Sequence, residues 1–116
     1  MVVFPNCKVN LGLYITDKRS DGYHNLQTIF YPLPWCDALE VLPLTLQIQK
    51  RILSSCNTIK PTYQTDGILF AQSGINIEGS AANNLCVKAF YLLKKSFPSL
   101  PSVFMHLHKV LPIQAG

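Results

Sequence analysis

Strict alternation near both ends of the chain constrains the fold most. From Val9 to Ile15, the residues Val9, Leu11, Leu13 and Ile15 face one way, while Lys8, Asn10, Gly12 and Tyr14 face the other. That period of two is the mark of a half-buried strand. Ser102 to Val110 alternates again, with Val103, Met105 and Leu107 set against Phe104, His106 and His108. Between them lies one good helix, Asn84 to Phe97, in which Leu85, Ala89, Leu92 and Leu93 recur at i, i+4, i+7 and i+8 as an apolar stripe expected to pack on the core. Asn83 is placed to cap its start, Lys94 and Lys95 complement the dipole at its end, and Pro98 stops it.

The remaining segments read as further strands and turns. Asn25 to Tyr31 is a strand expected to end at Pro32 and Pro34, after the polar turn Asp17 to Gly22. Ala38 to Leu42 and Leu44 to Ile48 read as strands broken by Pro43, and Ser54 to Asp66 as a loop or hairpin excursion. Two short strands, Ile68–Phe70 and Ile75–Ile77, flank a Ser73-Gly74 turn. Several strands, one helix and a final strand make an α+β fold, a mostly antiparallel sheet with a helix packed on one face.

With 116 residues, the chain suffices for one small domain. A hydrophobic fraction of 48% and a charged fraction of 14% describe a chain that builds a core. The net charge of +4 suits an anionic ligand or RNA equally. Apart from Lys50-Arg51 and Lys94-Lys95 the basic residues are scattered, which weighs against nucleic acid as a partner. Cys7, Cys36, Cys56 and Cys86 form no C-x-x-C pair and read as reduced thiols. Pro5, Asn6 and Lys8 interrupt any signal-peptide core, and no apolar run approaches the ~20 residues of a membrane span, so a cytoplasmic location without membrane contact is expected.

Lys8 and Asn10 project from the same strand face. A lysine there can hold negative charge or polarise a hydroxyl, with an amide beside it to donate and accept; equally, the pair can be the wet face of an edge strand. Asp21-Gly22-Tyr23-His24 makes a turn that sets an aromatic ring next to an imidazole. Such a pair can stack on a nucleobase and hydrogen-bond its edge, or can cover the rim of the core. His106 and His108 share a face, but no carboxylate or cysteine lies nearby in sequence to complete a metal site, and none is expected. No complete phosphate-cradling glycine loop is present, although Gly116 could begin one.

Four segments in order carry a family resemblance: F-P-N-C-K-V-N-L-G-L (Phe4–Leu13), R-S-D-G-Y-H-N-L-Q-T-I-F (Arg19–Phe30), N-N-L-C-V-K-A (Asn83–Ala89) and L-H-K-V-L-P-I-Q-A-G (Leu107–Gly116). Together they resemble the N-terminal part of a GHMP-family kinase. The D-G-Y-H turn marks the branch that phosphorylates a cytidine-diphosphate-linked methylerythritol in non-mevalonate isoprenoid-precursor synthesis. It separates that branch from mevalonate and homoserine kinases. The resemblance implies an ATP-dependent, magnesium-assisted transfer to the 2-hydroxyl of the sugar alcohol. By position, Lys8 resembles the catalytic lysine and Asn10 the polar residue beside it. Tyr23 would stack on cytosine, His24 would bond its edge, and Phe30 would join the aromatic surroundings. Asn84 matches a helix start on the adenine side, and Pro112, Ile113, Gln114, Ala115 and Gly116 match the first residues of the ATP loop.

Gln114 stands where the family usually has glycine, and Cys7 replaces a common alanine. The family's glycine- and serine-rich run and its catalytic aspartate lie beyond position 116. Residues 1–116 are therefore expected to be an incomplete kinase domain, inactive alone and exposing apolar surface. A non-catalytic cytidine-nucleotide-binding remnant is the main alternative, and an RNA-binding α+β module a third.

Overall fold

The computed structural model describes residues 1–54 and 59–113. Strands β1 (Val2–Val3), β2 (Asn6–Lys18), β3 (His24–Cys36) and β4 (Ala38–Pro43) precede helix α1 (Leu46–Ser54). Strands β5 (Pro61–Thr65) and β6 (Ile68–Gly74), helix α2 (Leu85–Ser96) and strand β7 (Val103–Lys109) follow. Five strands form one sheet in the order β1-β4-β7-β6-β5, while β2 and β3 form a separate antiparallel ribbon. Only β6 and β7 run parallel within the sheet, joined through α2; its other neighbours are antiparallel. This is the α+β architecture that the order of elements predicts.

The core is built around β6. Ile68 and Phe70 point to one face and meet Val87 and Phe90 of α2 and Leu107 of β7. Leu69 and Ala71 point to the other and join Phe104, with Leu42 of β4 and Ile52 of α1 packed against them. All four β6 residues are almost fully buried, so the large ones each contribute about 1.5–3 kcal/mol by leaving water. A strand covered on both faces reads as a continuous apolar run, as I-L-F-A does here.

Four local expectations change. Leu44–Ile48 is not a strand: Thr45 Oγ1 accepts the Ile48 N–H at 3.3 Å and starts α1, and Ile52, one turn beyond Ile48, anchors that helix to the sheet. Ile75–Ile77 does not continue as a strand. Pro32 and Pro34 do not end β3, because a two-stranded ribbon leaves one edge of β3 free, where a missing N–H costs nothing. Asn84, not Asn83, caps α2 by accepting the Cys86 N–H at 2.9 Å, while Asn83 closes the short 3₁₀ turn Ala81–Asn83.

The expected core stripe of α2 is also reversed. Leu85 and Leu92 are 80% and 69% exposed, and Leu93 is exposed as well, whereas Val87 and Phe90 are buried. The helix is apolar on more than one face, and periodicity alone does not say which face meets the sheet. The ribbon is likewise uncovered: apart from buried Cys7, the residues of β2 are exposed on both faces. The chain is accordingly elongated, 53 × 31 × 25 Å.

Candidate functional site

The antiparallel register of the ribbon brings three of the singled-out residues together. Asn10 lies opposite Phe30, and Lys8 lies opposite Pro32. The Lys8 ammonium sits over the Phe30 ring, 5.0 Å from its centroid. Such an exposed cation–π contact is worth about 0.5–1 kcal/mol, enough to bias the lysine rotamer without burying its charge. Lys8, Asn10 and Phe30 thus share one part of the ribbon.

Tyr23 and His24 occupy its far end, where Lys18 opposite His24 is the last pair. The turn has a clear local cause. Asp21 Oδ1 accepts the Tyr23 N–H at 3.1 Å, and its Oδ2 pairs with Arg19 at 2.6 Å. Gly22 supplies a φ of 86°, a conformation that side chains other than hydrogen resist. Tyr23 is left 73% exposed, its ring free to stack. Ten residues separate Lys8 from Lys18, up to about 33 Å along a straight strand. The structure does not gather the Tyr23/His24 pair and Lys8 into one pocket. Register shifts between Asn6 and Lys8, Leu11 and Leu13, and Ile15 and Asp17 bend the ribbon and shorten that span.

A second polar cluster stands where β7 leaves the sheet. Asp37, the one residue between β3 and β4, accepts the Val110 and Leu111 N–H groups on Oδ1 at 2.7 and 2.8 Å. Its Oδ2 pairs with Lys109 Nζ at 2.7 Å. Burial pushes the Asp37 carboxyl up, but the hydrogen bonds from Leu111, Lys109 and Val110 outweigh it and hold the pKa below the ordinary carboxylate value. Beside it, the Lys109 carbonyl accepts the Ile75 N–H at 2.8 Å. Pro112 and Ile113 follow, both exposed, whereas Gln114, Ala115 and Gly116 lie outside the described residues. Asp37 was not singled out from sequence. The available signal was a lone carboxylate between two apolar strands, in W-C-D-A-L.

Asn84 lines a cleft of about 330 Å³ between the end of β6 and the start of α2, with Gln72, Asn76 and Asn83 among its walls. Amide groups of this kind match the donor and acceptor edge of a nucleobase. The Asn84 side-chain oxygen already caps α2, so that residue joins the cleft wall while fixing the helix. On the sheet, Ser73 Oγ bridges His106 Nε2 at 2.8 Å and His108 Nδ1 at 2.9 Å. Burial lowers the His106 pKa, against the opposing pull of Glu40. No group of three His, Cys, Asp or Glu side chains suited to a metal occurs among the described residues. None of the described helices is long and apolar enough to cross a membrane.

A mixed sheet carries a protruding ribbon, with a strand exit pinned beside the ribbon's base. Small-molecule kinases resemble the chain in both sequence and fold. The chain is 46% identical over all 116 residues to the 4-diphosphocytidyl-2-C-methyl-D-erythritol kinase of Cytophaga hutchinsonii, covering 35% of that protein. It is also 46% identical over all 116 residues to that of Bacteroides fragilis, covering 36%. A crystal structure of 4-(cytidine 5'-diphospho)-2C-methyl-D-erythritol kinase superposes with a TM-score of 0.64 at 26% identity, over 97% of this chain and 32% of that one. No family model matches the chain. The chain is a homologue of these kinases and spans about a third of their length.

Proposed function

We propose that residues 1–116 form the incomplete N-terminal domain of an ATP-dependent kinase acting on the 2-hydroxyl of 4-diphosphocytidyl-2-C-methyl-D-erythritol. This would place it in non-mevalonate isoprenoid-precursor synthesis. The observation that carries the reading is 46% identity over the whole chain, beside the D-G-Y-H turn that carries the family resemblance. Tyr23 stacks on the cytosine and His24 bonds its edge. Asn10 and Lys8 address the hydroxyl, the ammonium offsetting charge as the oxygen attacks. Phe30 holds the lysine in place and completes the aromatic surroundings. Asn84 faces the adenine, and Pro112, Ile113, Gln114, Ala115 and Gly116 open the loop that receives the ATP phosphates.

The fit of the nucleotide is supported by the amide-lined cleft at Asn84. The described residues offer no carboxylate set for magnesium, so the ion would arrive with the ATP phosphates and supply charge neutralisation there. Phosphoryl transfer rests on positioning and charge stabilisation, with a group to align the nucleophile. These 116 residues alone therefore transfer no phosphate. On this reading the substrate lies along the ribbon, cytidine toward the tip and sugar alcohol toward Lys8.

The test has two parts. Calorimetric titration of the chain with CDP should show binding that Tyr23→Ala abolishes. A chimaera in which residues 1–116 replace the matching third of the Cytophaga hutchinsonii kinase should phosphorylate the substrate. Undiminished CDP binding by Tyr23→Ala removes the turn from the site, and a folded but inert chimaera overturns the kinase reading.

A further inference from the structure

The β2–β3 ribbon joins the sheet at only two places. Phe4 and Pro5 lead from β1 into β2, and Asp37 alone leads from β3 into β4. The Asp37 N–H donates to the Pro5 carbonyl at 3.1 Å, closing the ribbon's base. The same residue's carboxylate holds Lys109, Val110 and Leu111, where the chain leaves β7 toward Pro112. Backbone and side chain of one residue thus tie the strand bearing Lys8 to the segment that precedes position 112. The clamp is sheltered: the Asp37 and Lys109 side chains are only 12% and 14% exposed, and Leu111 is buried.

We propose that Asp37 is a positioning residue, whose carboxylate clamps the exit of β7 to the base of the ribbon and so fixes Val110 and Leu111, which lead to Pro112, relative to the strand bearing Lys8. This rests on the kinase reading for its chemical purpose, while the clamp itself rests on geometry alone. Two sites that exchange a phosphoryl group tolerate little relative motion, because a 1 Å misplacement costs roughly 10²-fold in rate. Beyond Cys7 at its base, the residues of β2 are exposed on both faces, so the ribbon's orientation depends on that base. Charged acceptors make the stronger hydrogen bonds, and here one carboxylate receives three donors.

Residual dipolar couplings measured on the 116-residue chain test the clamp directly. In the native chain, ribbon and sheet should share one alignment tensor. In Asp37→Ala the ribbon should acquire its own, weaker tensor while couplings within the sheet persist. Asp66→Ala, which removes a carboxylate from the β5–β6 turn, should keep the shared tensor. A shared tensor retained in Asp37→Ala overturns the clamp and leaves Asp37 a contributor to stability only. Should Asp37→Ala not fold, Asp37→Asn, which keeps one acceptor oxygen, carries the same readout.

The chimaera tests the purpose. Asp37→Asn should lower kcat by roughly 10²-fold with the KM for the cytidine substrate nearly unchanged, the signature of lost alignment. An unchanged kcat overturns the positioning role. An inert chimaera with Asp37 intact refutes the kinase reading instead, and the dipolar couplings still decide the clamp.

Discussion

Gly74 sits at the end of β6 with a φ of 79°, and a Cβ built there would lie 2.1 Å from the Lys109 carbonyl oxygen. Gly74→Ala should therefore destabilise the chain in two ways. The left-handed conformation costs a side-chain-bearing residue about 1–2 kcal/mol. The Lys109 carbonyl must also recede to 3.0 Å or beyond, and it is backbone, not a flexible side-chain end. That movement breaks the Ile75 N–H to Lys109 bond of 2.8 Å, worth about 0.5–1.5 kcal/mol, and strains the pairing of Gly74 with Lys109. The expected loss is about 2–4 kcal/mol. In urea, with a slope of about 2 kcal/mol/M, the midpoint should fall by about 1–2 M. Gly22→Ala is the control: its φ is 86° but nothing lies within 4 Å, so only the conformational term applies. If Gly74→Ala were no worse than Gly22→Ala by equilibrium urea unfolding, the close approach of β6 to Lys109 would be refuted.

Other consequences are open to simpler assays. Phe90→Ala should cost about 3–5 kcal/mol in the same unfolding experiment, because Phe90 fills the α2–sheet core. Leu92→Ala, on the outer face of α2, should change stability by under about 0.5 kcal/mol while improving solubility. The Asp37 carboxyl has a folded pKa below 3.8, so its contribution is complete above that value and lost as pH falls through the lower folded one; acid unfolding should begin there, and Asp37→Asn should flatten it. His106 is also depressed, here from 6.5, so its contribution is present above pH 6.5 and declines as pH falls toward the folded value. Stability of His106→Gln measured between pH 7 and 5 should lack that decline. Tyr23→Ala should abolish CDP binding without shifting the thermal midpoint, since the ring is 73% exposed and packs on nothing the fold needs.

Local chemistry made much of this chain legible without coordinates. The alternation from Val9 to Ile15 and from Ser102 to Val110 reports strands because side-chain direction reverses at every residue. The Asp21-Gly22 turn, α2 and its termination near Pro98 are set by nearest neighbours in the same way. Lys8, Asn10, Tyr23 and His24 could be singled out as candidates because amine, amide, aromatic and imidazole groups offer the same chemistry in any fold, whereas Phe30 entered only with the family resemblance. Helix α1 was missed because Leu44, Leu46 and Ile48 satisfy a period of two, and the helical partner Ile52 lies beyond that window.

What required the tertiary structure were relations between distant segments. Nothing local distinguishes the Val87/Phe90 face of α2 from the Leu85/Leu92 face; only the position of Phe70 and Leu107 on the sheet decides which is buried. The contact of Lys8 with Phe30 follows from the register of β2 against β3, which sets Lys8 opposite Pro32 and Asn10 opposite Phe30 and so makes diagonal neighbours of residues 22 positions apart. Asp37 is one carboxylate among six acidic residues until the fold carries Val110 and Leu111 back to it. Periodicity and turn propensity act over a few residues and are written along the chain. Burial, register and the pairing of a charge with remote donors are properties of the closed structure, and only there do they take a value.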